Sequence, residues 1–353
     1  MPIIFDGAVE PDDLTTYVRG IPMPSELTLL NTMPTRHLQT NTVNFAEIVR
    51  TNRTARFRSF DGRVHVSKRD AGSEKNVSLL PLSSSLQMGE YERLQLEFAR
   101  LHGGNQAALA DAAYNDADIL TAQVRNRLEQ AWGQVYGTGK LTIAENGFAG
   151  EADFGVPANH KVAPSTAWTD TTNAKVLTDI QSWSDTYRAT NGFAPGRMKT
   201  SLRMLRLAQR NAEVINAVYG AAQGRTRVSI TELNDLLLSE GLPTFDDPYE
   251  TRLDIDDVAT RTVGDGVVVF LPSDLTQLGY TAFGVSATAL ELVNSGKVDL
   301  SFENASGIVG VVYKEDGVPF REYTYVDCTA MPILSNARRL MIAQAAPDVE
   351  AAA

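Results

Sequence analysis

Residues 111–143 read DAAYNDADILTAQVRNRLEQAWGQVYGTGKLTI. Over 111–136 the apolar residues Ile119/Leu120, Val124, Leu128, Ala131/Trp132 and Val135/Tyr136 recur every three to four positions, the period of one helix face. The spacing predicts a helix of roughly 39 Å at 1.5 Å per residue, longer than an ordinary globular helix needs to be. Gly137 and Gly139 are placed to stop it. Residues 140–154 then read as a hairpin turning at Asn146-Gly147.

Upstream, Tyr91, Leu94, Phe98 and Leu101 give a shorter amphipathic helix, broken by Gly103-Gly104. Residues 1–49 are punctuated by prolines at 2, 11, 22, 24 and 34, with short helical stretches over 12–18 and 25–31 and an alternating strand over 43–49. Such a segment has little core of its own. It lies either on its own domain or, as an arm, on a neighbouring subunit. Between Arg50 and Lys75 the net charge is +5, with Arg53, Arg56, Arg58, Arg63, Lys68 and Arg69 interleaved with Phe57 and Phe60. Asp61-Gly62 turns one alternating run into another, so 50–77 reads as a long two-stranded excursion. An isolated hairpin is only marginally stable in water, so this one needs a surface to lie on.

Downstream the pattern is mixed. Val176, Ile180, Trp183 and Tyr187 mark one helix face, and Leu202, Leu205 and Ala208 begin another. Ser229-Ile230-Thr231-Glu232 is a capping box that opens a helix ended by Gly241. Residues 232–257 carry a net charge of −8 through Glu232, Asp235, Glu240, Asp246, Asp247, Glu250, Asp254, Asp256 and Asp257 against Arg252. Residues 267–271 are a continuous apolar run, a strand buried on both faces. Strands over 308–313 and 318–325 are joined at Glu315-Asp316-Gly317, and 326–333 and 340–343 read as further strands. The fold class expected is α+β, with two or three domains for 353 residues.

The chemistry-bearing patterns are sparse. A composition of 43% hydrophobic and 21% charged residues excludes wholesale disorder. The single Cys328 excludes an internal disulfide, and it lies in an apolar run, where a structural thiol is expected. His37, His65, His102 and His160 are scattered, unlike a metal site. There is no phosphate-cradling loop and no nucleophile elbow. Glu97, Glu129 and Glu145 have no evident partner for acid–base work. The acidic pairs Asp246/Asp247 and Asp256/Asp257 lack the spacing of a cation loop. No cofactor is expected. No stretch approaches the apolar length of a membrane span, and the first ten residues lack the features of a signal peptide, so use in a reducing cytoplasm is expected.

A net charge of −11 opposes nucleic-acid binding by the whole molecule, although the 50–69 stretch would suit it locally. A soluble enzyme with an acidic site around 246–257 is a different reading, which requires a deep pocket there. Two unrelated solvated faces are the plain one. A fourth follows from the opposite charges in one chain: copies arranged head to tail would bring the basic excursion (Arg53, Arg56, Phe57, Arg58, Phe60, Arg63, Lys68, Arg69) onto the acidic segment (Glu232, Asp235, Asp246, Asp247, Asp254, Asp256, Asp257).

These pieces occur in a familiar order. The run Gly137-Thr138-Gly139-Lys140-Leu141-Thr142-Ile143 after the long helix, with Gly147-Phe148 and Asp153-Phe154-Gly155, resembles the spine helix and hairpin of tailed-bacteriophage major capsid proteins with the Hong Kong 97 fold. Within these the chain is similar to the lambda-type capsid protein E family. Asn76-Val77-Ser78 through Leu86-Gln87-Met88 resembles the return from that family's extended loop, and Met341-Ile342-Ala343-Gln344-Ala345-Ala346-Pro347 its terminal strand. The resemblance implies an N-terminal arm and first strand at 1–49 and an extended loop over an adjacent subunit at 50–77. It implies a peripheral domain at 78–159 and 296–353 with its spine helix at 111–136, and an axial domain at 160–295. It further implies a non-enzymatic major capsid protein that self-assembles through pentamers and hexamers into an icosahedral shell around double-stranded DNA, without sequence-specific binding. A separate scaffolding protein, a portal and an optional decoration protein would be its partners. It would reside in the virion, assembled in the bacterial host cytoplasm. An encapsulin-like nanocompartment shell is the alternative within the same fold.

Overall fold

The computed structural model describes residues 9–48, 72–101, 108–145, 148–220, 224–255, 257–296, 299, 301–315 and 321–349. The chain begins with helices α1 (Pro11–Gly20) and α2 (Thr28–Thr32) and strand β1 (Thr35–His37). An arm of β2 (Thr42–Ile48) and β3 (Gly72–Ser78) leads into β4 (Pro81–Met88) and α3 (Glu90–Leu101). The long helix α4 (Ala108–Thr138) and the hairpin β5 (Lys140–Glu145) and β6 (Phe148–Asp153) follow. Next come β7 (Lys161–Val162), α5 (Val176–Asn191), β8 (Arg197–Thr200), α6 (Leu202–Arg210), α7 (Ala212–Tyr219), α8 (Ile230–Ser239) and β9 (Thr244–Phe245). A hairpin of β10 (Arg252–Ile255) and β11 (Val258–Arg261) precedes β12 (Val267–Leu271), β13 (Gly279–Gly284) and α9 (Ala287–Ser295). The chain closes with β14 (Val309–Glu315), β15 (Arg321–Leu334) and β16 (Met341–Gln344).

Two large apolar clusters organise these elements. In the first, the stripe of α4 (Leu120, Val124, Leu128, Trp132, Val135) packs with Leu14, Val18, Leu29, Leu30 and Met33 of the N-terminal residues and with Val326, Cys328 and Ile333 of β15. Its sheet runs β1-β13-β15-β14, with β4 also paired to β15. The second cluster gathers Trp168, Ile180, Trp183, Tyr187, Met204, Leu233 and Leu237 around Phe270 and Met341. Its sheet runs β7-β16-β12-β8-β9. The run 267–271 serves both: Val267, Val269 and Leu271 face the first cluster, Val268 and Phe270 the second. That two-sided burial is why its sequence does not alternate.

Several expectations change here. Described residues 9–43 lie on their own subunit, because the prolines interrupt helix period but leave Leu14, Val18, Leu29 and Leu30 free to complete the first core. The runs read as two strands, 318–325 and 326–333, are within the described residues one strand, β15 (Arg321–Leu334), which continues past its partner β14 to pair with β13. The expected domain boundary at 295/296 is not where the cores divide. β13 pairs with β15 in the first sheet, and β16, expected there, lies between β12 and β7 in the second.

α4 approaches the rest of the molecule very closely at one point. A Cβ on Gly133 would lie 2.2 Å from the carbonyl oxygen of Thr262. Gly133→Val is therefore expected to force the helix away from Thr262 and to cost about 1–3 kcal/mol in unfolding free energy, measured by urea denaturation of the subunit. An unchanged midpoint would show that the contact yields.

Candidate assembly surfaces and the junction between the cores

The arm is antiparallel from Thr42 opposite Ser78 to Ile48 opposite Gly72, and no third described strand joins it. Its root is held by Val43 and Leu79 in the first core and by Leu79 N–H donating to the carbonyl of Asn41 at 2.7 Å. The candidate loop residues Arg53, Arg56, Phe57, Arg58, Phe60, Arg63, Lys68 and Arg69 lie outside the described residues, as does Asp256.

The acidic segment is not one surface. Glu232 and Asp235 are on α8, and Asp246 and Asp247 follow β9, all carried by the second core. Tyr249 then inserts into the first core, and Asp254 and Asp257 stand on the β10–β11 hairpin beyond it. Chain adjacency misled here because one buried tyrosine separates the two halves. Glu232 is committed locally: the Ser229 N–H and hydroxyl donate to its Oε2 at 2.9 and 2.7 Å, completing the capping box. The Tyr219 and Ser229 hydrogen bonds hold its carboxyl down to about 2. Asp246 lies 3.6 Å from Arg197, while Asp247, Asp254 and Asp257 are exposed. Asp257 takes a φ of 63° at the hairpin tip, a conformation Asp tolerates better than most residues.

A buried polar network within the first core is built on Glu129, which is fully buried on α4. Its carboxylate accepts from Leu29 N–H at 3.0 Å, Leu30 N–H at 2.7 Å and the Tyr249 hydroxyl at 2.7 Å. The Tyr249 oxygen is also bonded to the Thr262 hydroxyl. One turn earlier on α4, Arg125 donates to the carbonyls of Ile21 and Pro22 at 2.6 and 2.7 Å. One helix face thereby fixes the N-terminal segment, α4 and residues 249–262 together. Burial raises the Glu129 pKa against the pull of its three hydrogen bonds. Nearby Lys199, its ammonium 5.8 Å from the Tyr249 ring centre, is lowered by burial.

The cavity beside this network, lined by Lys199, Tyr249 and Arg261, holds about 10 Å³. That is room for at most a single water, not a substrate. A larger open cleft of about 480 Å³ is lined by Asp12, Arg19, His37, Asp299 and Glu303. Arg19 there already donates to the carbonyls of Asn304, Ser306 and Ile308. Neither contains Asp254 or Asp257. Among the described residues no group of three or more His, Cys, Asp or Glu side chains could hold a metal ion, and no helix is long and apolar enough to cross a membrane. Cys328 is fully buried and its thiol is pushed up by that burial, as a packing residue would be.

Residues 10–344 match the family model described as phage major capsid protein E. The chain belongs to the phage major capsid protein E family. Solved structures carry the same fold at low identity. A chain described as a capsid protein of an Escherichia coli CFT073 prophage is 16% identical, with a TM-score of 0.62 over 95% of this chain and 99% of that one. A phage-related protein from Bordetella bronchiseptica is 15% identical, with a TM-score of 0.50 over 95% and 96%. The capsid of Myoviridae phage XM1 is 10% identical, with a TM-score of 0.50 over 92% and 97%. No curated protein matches. This phage capsid protein thus has the Hong Kong 97-type α+β fold and is a major capsid protein, whose copies associate into the shell of the virion. Family and fold point to a structural role rather than a catalytic one.

Proposed function

We propose that this capsid protein closes into pentamers and hexamers, which tile an icosahedral shell around double-stranded DNA in the host cytoplasm. The first core acts as the peripheral domain and the second as the axial domain, which meets its copies around the ring centre. A scaffolding protein and a portal are separate chains. The observation that carries this reading is the β2–β3 arm, a two-stranded extension that no third described strand joins and whose root, Val43 and Leu79, lies in the first core. Such a ribbon gains stability by lying on a neighbour, and many such contacts make the large interfaces of an obligate assembly. In this reading the 50–77 loop lies over the adjacent subunit, its arginines near that subunit's Asp254 and Asp257.

The test is light scattering and electron microscopy on one purified fraction, with and without a co-expressed scaffolding protein. Closed shells, or rings of five or six, are expected. A protein that stays monomeric at high concentration with the scaffold present would overturn the proposal.

A further inference from the structure

We infer that α8 and its flanks form both halves of a head-to-tail contact between copies of this chain: the arginines at its start dock on carboxylates beside its second half on the next copy. The inference rests on the ring assembly proposed above and names the residues that would hold the ring.

The arginine half is assembled from two segments. Arg206 and Arg210 are exposed on α6, four residues apart on one face. The N–H of Val228 donates to the carbonyl of Gln209 at 2.9 Å, which brings Arg227 beside them, and Arg225 stacks on the Tyr219 ring at 4.7 Å. Among the described residues, none of these four forms a salt bridge. The carboxylate half lies farther along α8. Glu240 is the residue that ends the helix. The Asn234 side chain bonds both the N–H and the carbonyl of Phe245, at 2.9 and 3.1 Å, which sets Asp246 and Asp247 alongside the helix. Glu240 and Asp247 are exposed and form no salt bridge among the described residues.

Within the subunit this placement is only partly compensated: Arg225 stacks on Tyr219 and attracts Glu232, and Arg210 lies in the last turn of α6, where the helix dipole favours a cation. Arg225 and Arg227 precede the helix N-terminus, where the helix dipole disfavours cations, and Glu240 sits at the C-terminus, where it disfavours anions. Arg206 and Arg210 repel each other at i, i+4 spacing. Exposed charges of opposite sign on one body, with no salt bridge among the described residues, are complementary to a second copy of that body. A heterologous contact of this kind closes a ring when its rotation permits.

The experiment uses the full chain, with the scaffolding protein where wild type needs it. One variant carries Arg225→Glu and Arg227→Glu, a second Glu240→Arg and Asp247→Arg, and a third all four changes. All replaced residues are exposed, so each variant is expected to fold, which thermal melts by circular dichroism check. Each reversed pair is expected to cut the yield of rings and shells about tenfold or more, because like charges then face each other. The fourfold variant is expected to recover assembly, since the charges are complementary again with their signs exchanged. Wild-type yields from both reversed pairs, or a fourfold variant no better than the worse pair, would overturn the inference while leaving the ring reading intact. So would an arginine variant that assembles normally and loses only its retained DNA, which would assign that end to nucleic acid. Failure of wild type to assemble with scaffold would remove the ring reading and this inference together.

Discussion

Glu129→Ala is expected to destabilise the unassembled subunit by about 3 kcal/mol at neutral pH, since each buried donor left without an acceptor costs about 1–3 kcal/mol. Two backbone donors, the N–H groups of Leu29 and Leu30, are stranded at once, and the Tyr249 hydroxyl keeps only Thr262 as a partner. Part of that loss is offset because a buried carboxylate no longer has to be desolvated. Glu129→Gln keeps one oxygen acceptor but turns an amide donor toward the other donors, so it is expected to lose about 1–2 kcal/mol. The measurement is urea denaturation of the subunit, and a loss under about 1 kcal/mol for the alanine variant would show that the network is dispensable. The pH dependence adds a second check. Burial raises the folded-state pKa of Glu129 above its ordinary value. Between those two pKa values the folded chain holds the proton that the unfolded chain has released, so stability from this group is full below the window and falls as pH rises through it. The stability difference between wild type and Glu129→Gln is therefore expected to shrink with rising pH in that window.

Glu129 also marks where the sequence stopped being legible. It lies beside Leu128 and Trp132 on the buried stripe, four residues after Arg125. A carboxylate and a guanidinium at that spacing suggest a local ion pair, and Glu129 itself looked like an acid without a partner. Both instead serve backbone groups about 100 residues earlier, and Glu129 also serves a tyrosine 120 residues later. The signal was present as two charged residues inside an apolar face; the partners were not, because non-local pairing leaves no period. Local features did carry through. The hairpin expected over 140–154 is paired from Lys140 with Asp153 to Glu145 with Phe148, while its expected turn at Asn146-Gly147 lies outside the described residues, and the Ser229 capping box is complete. Gly139, at a φ of 74°, follows the end of α4 as expected, whereas Gly137 is accommodated inside the helix. The acidic segment failed as a unit for the same reason Glu129 did: Tyr249 is drawn into a distant core and divides it. The arginines of α6 and of residues 225–227 were missed because they are 15 or more positions apart in the chain. A single backbone hydrogen bond between Val228 and Gln209 unites them.

Trp132→Ala is expected to remove about 3–5 kcal/mol from the subunit, the range for emptying a buried aromatic site. Trp132 is fully buried on α4, packs edge-on against Tyr136, and donates from Nε1 to the Thr281 hydroxyl at 2.9 Å. Thr281 stands in β13 between Thr35 of β1 and Pro332 of β15, so the indole ties the long helix to the centre of the first sheet. Trp132→Phe keeps most of the packing and loses the hydrogen bond, for an expected cost of about 1–2 kcal/mol. The variant also reports on how the cores are coupled. The remaining tryptophans, Trp168 and Trp183, stack at 5.9 Å within the second core, so fluorescence in Trp132→Ala follows that core alone while far-ultraviolet circular dichroism follows both. β12 and β16 present alternate residues to the two cores: Val269 and Ile342 to the first, Phe270 and Met341 to the second. Strands shared in this way cannot leave one core without exposing the other. The fluorescence transition is therefore expected to move to lower urea together with the circular dichroism transition. A fluorescence midpoint that stays at the wild-type value, while an early dichroism phase is lost, would show that the two cores unfold separately in spite of the strands they share.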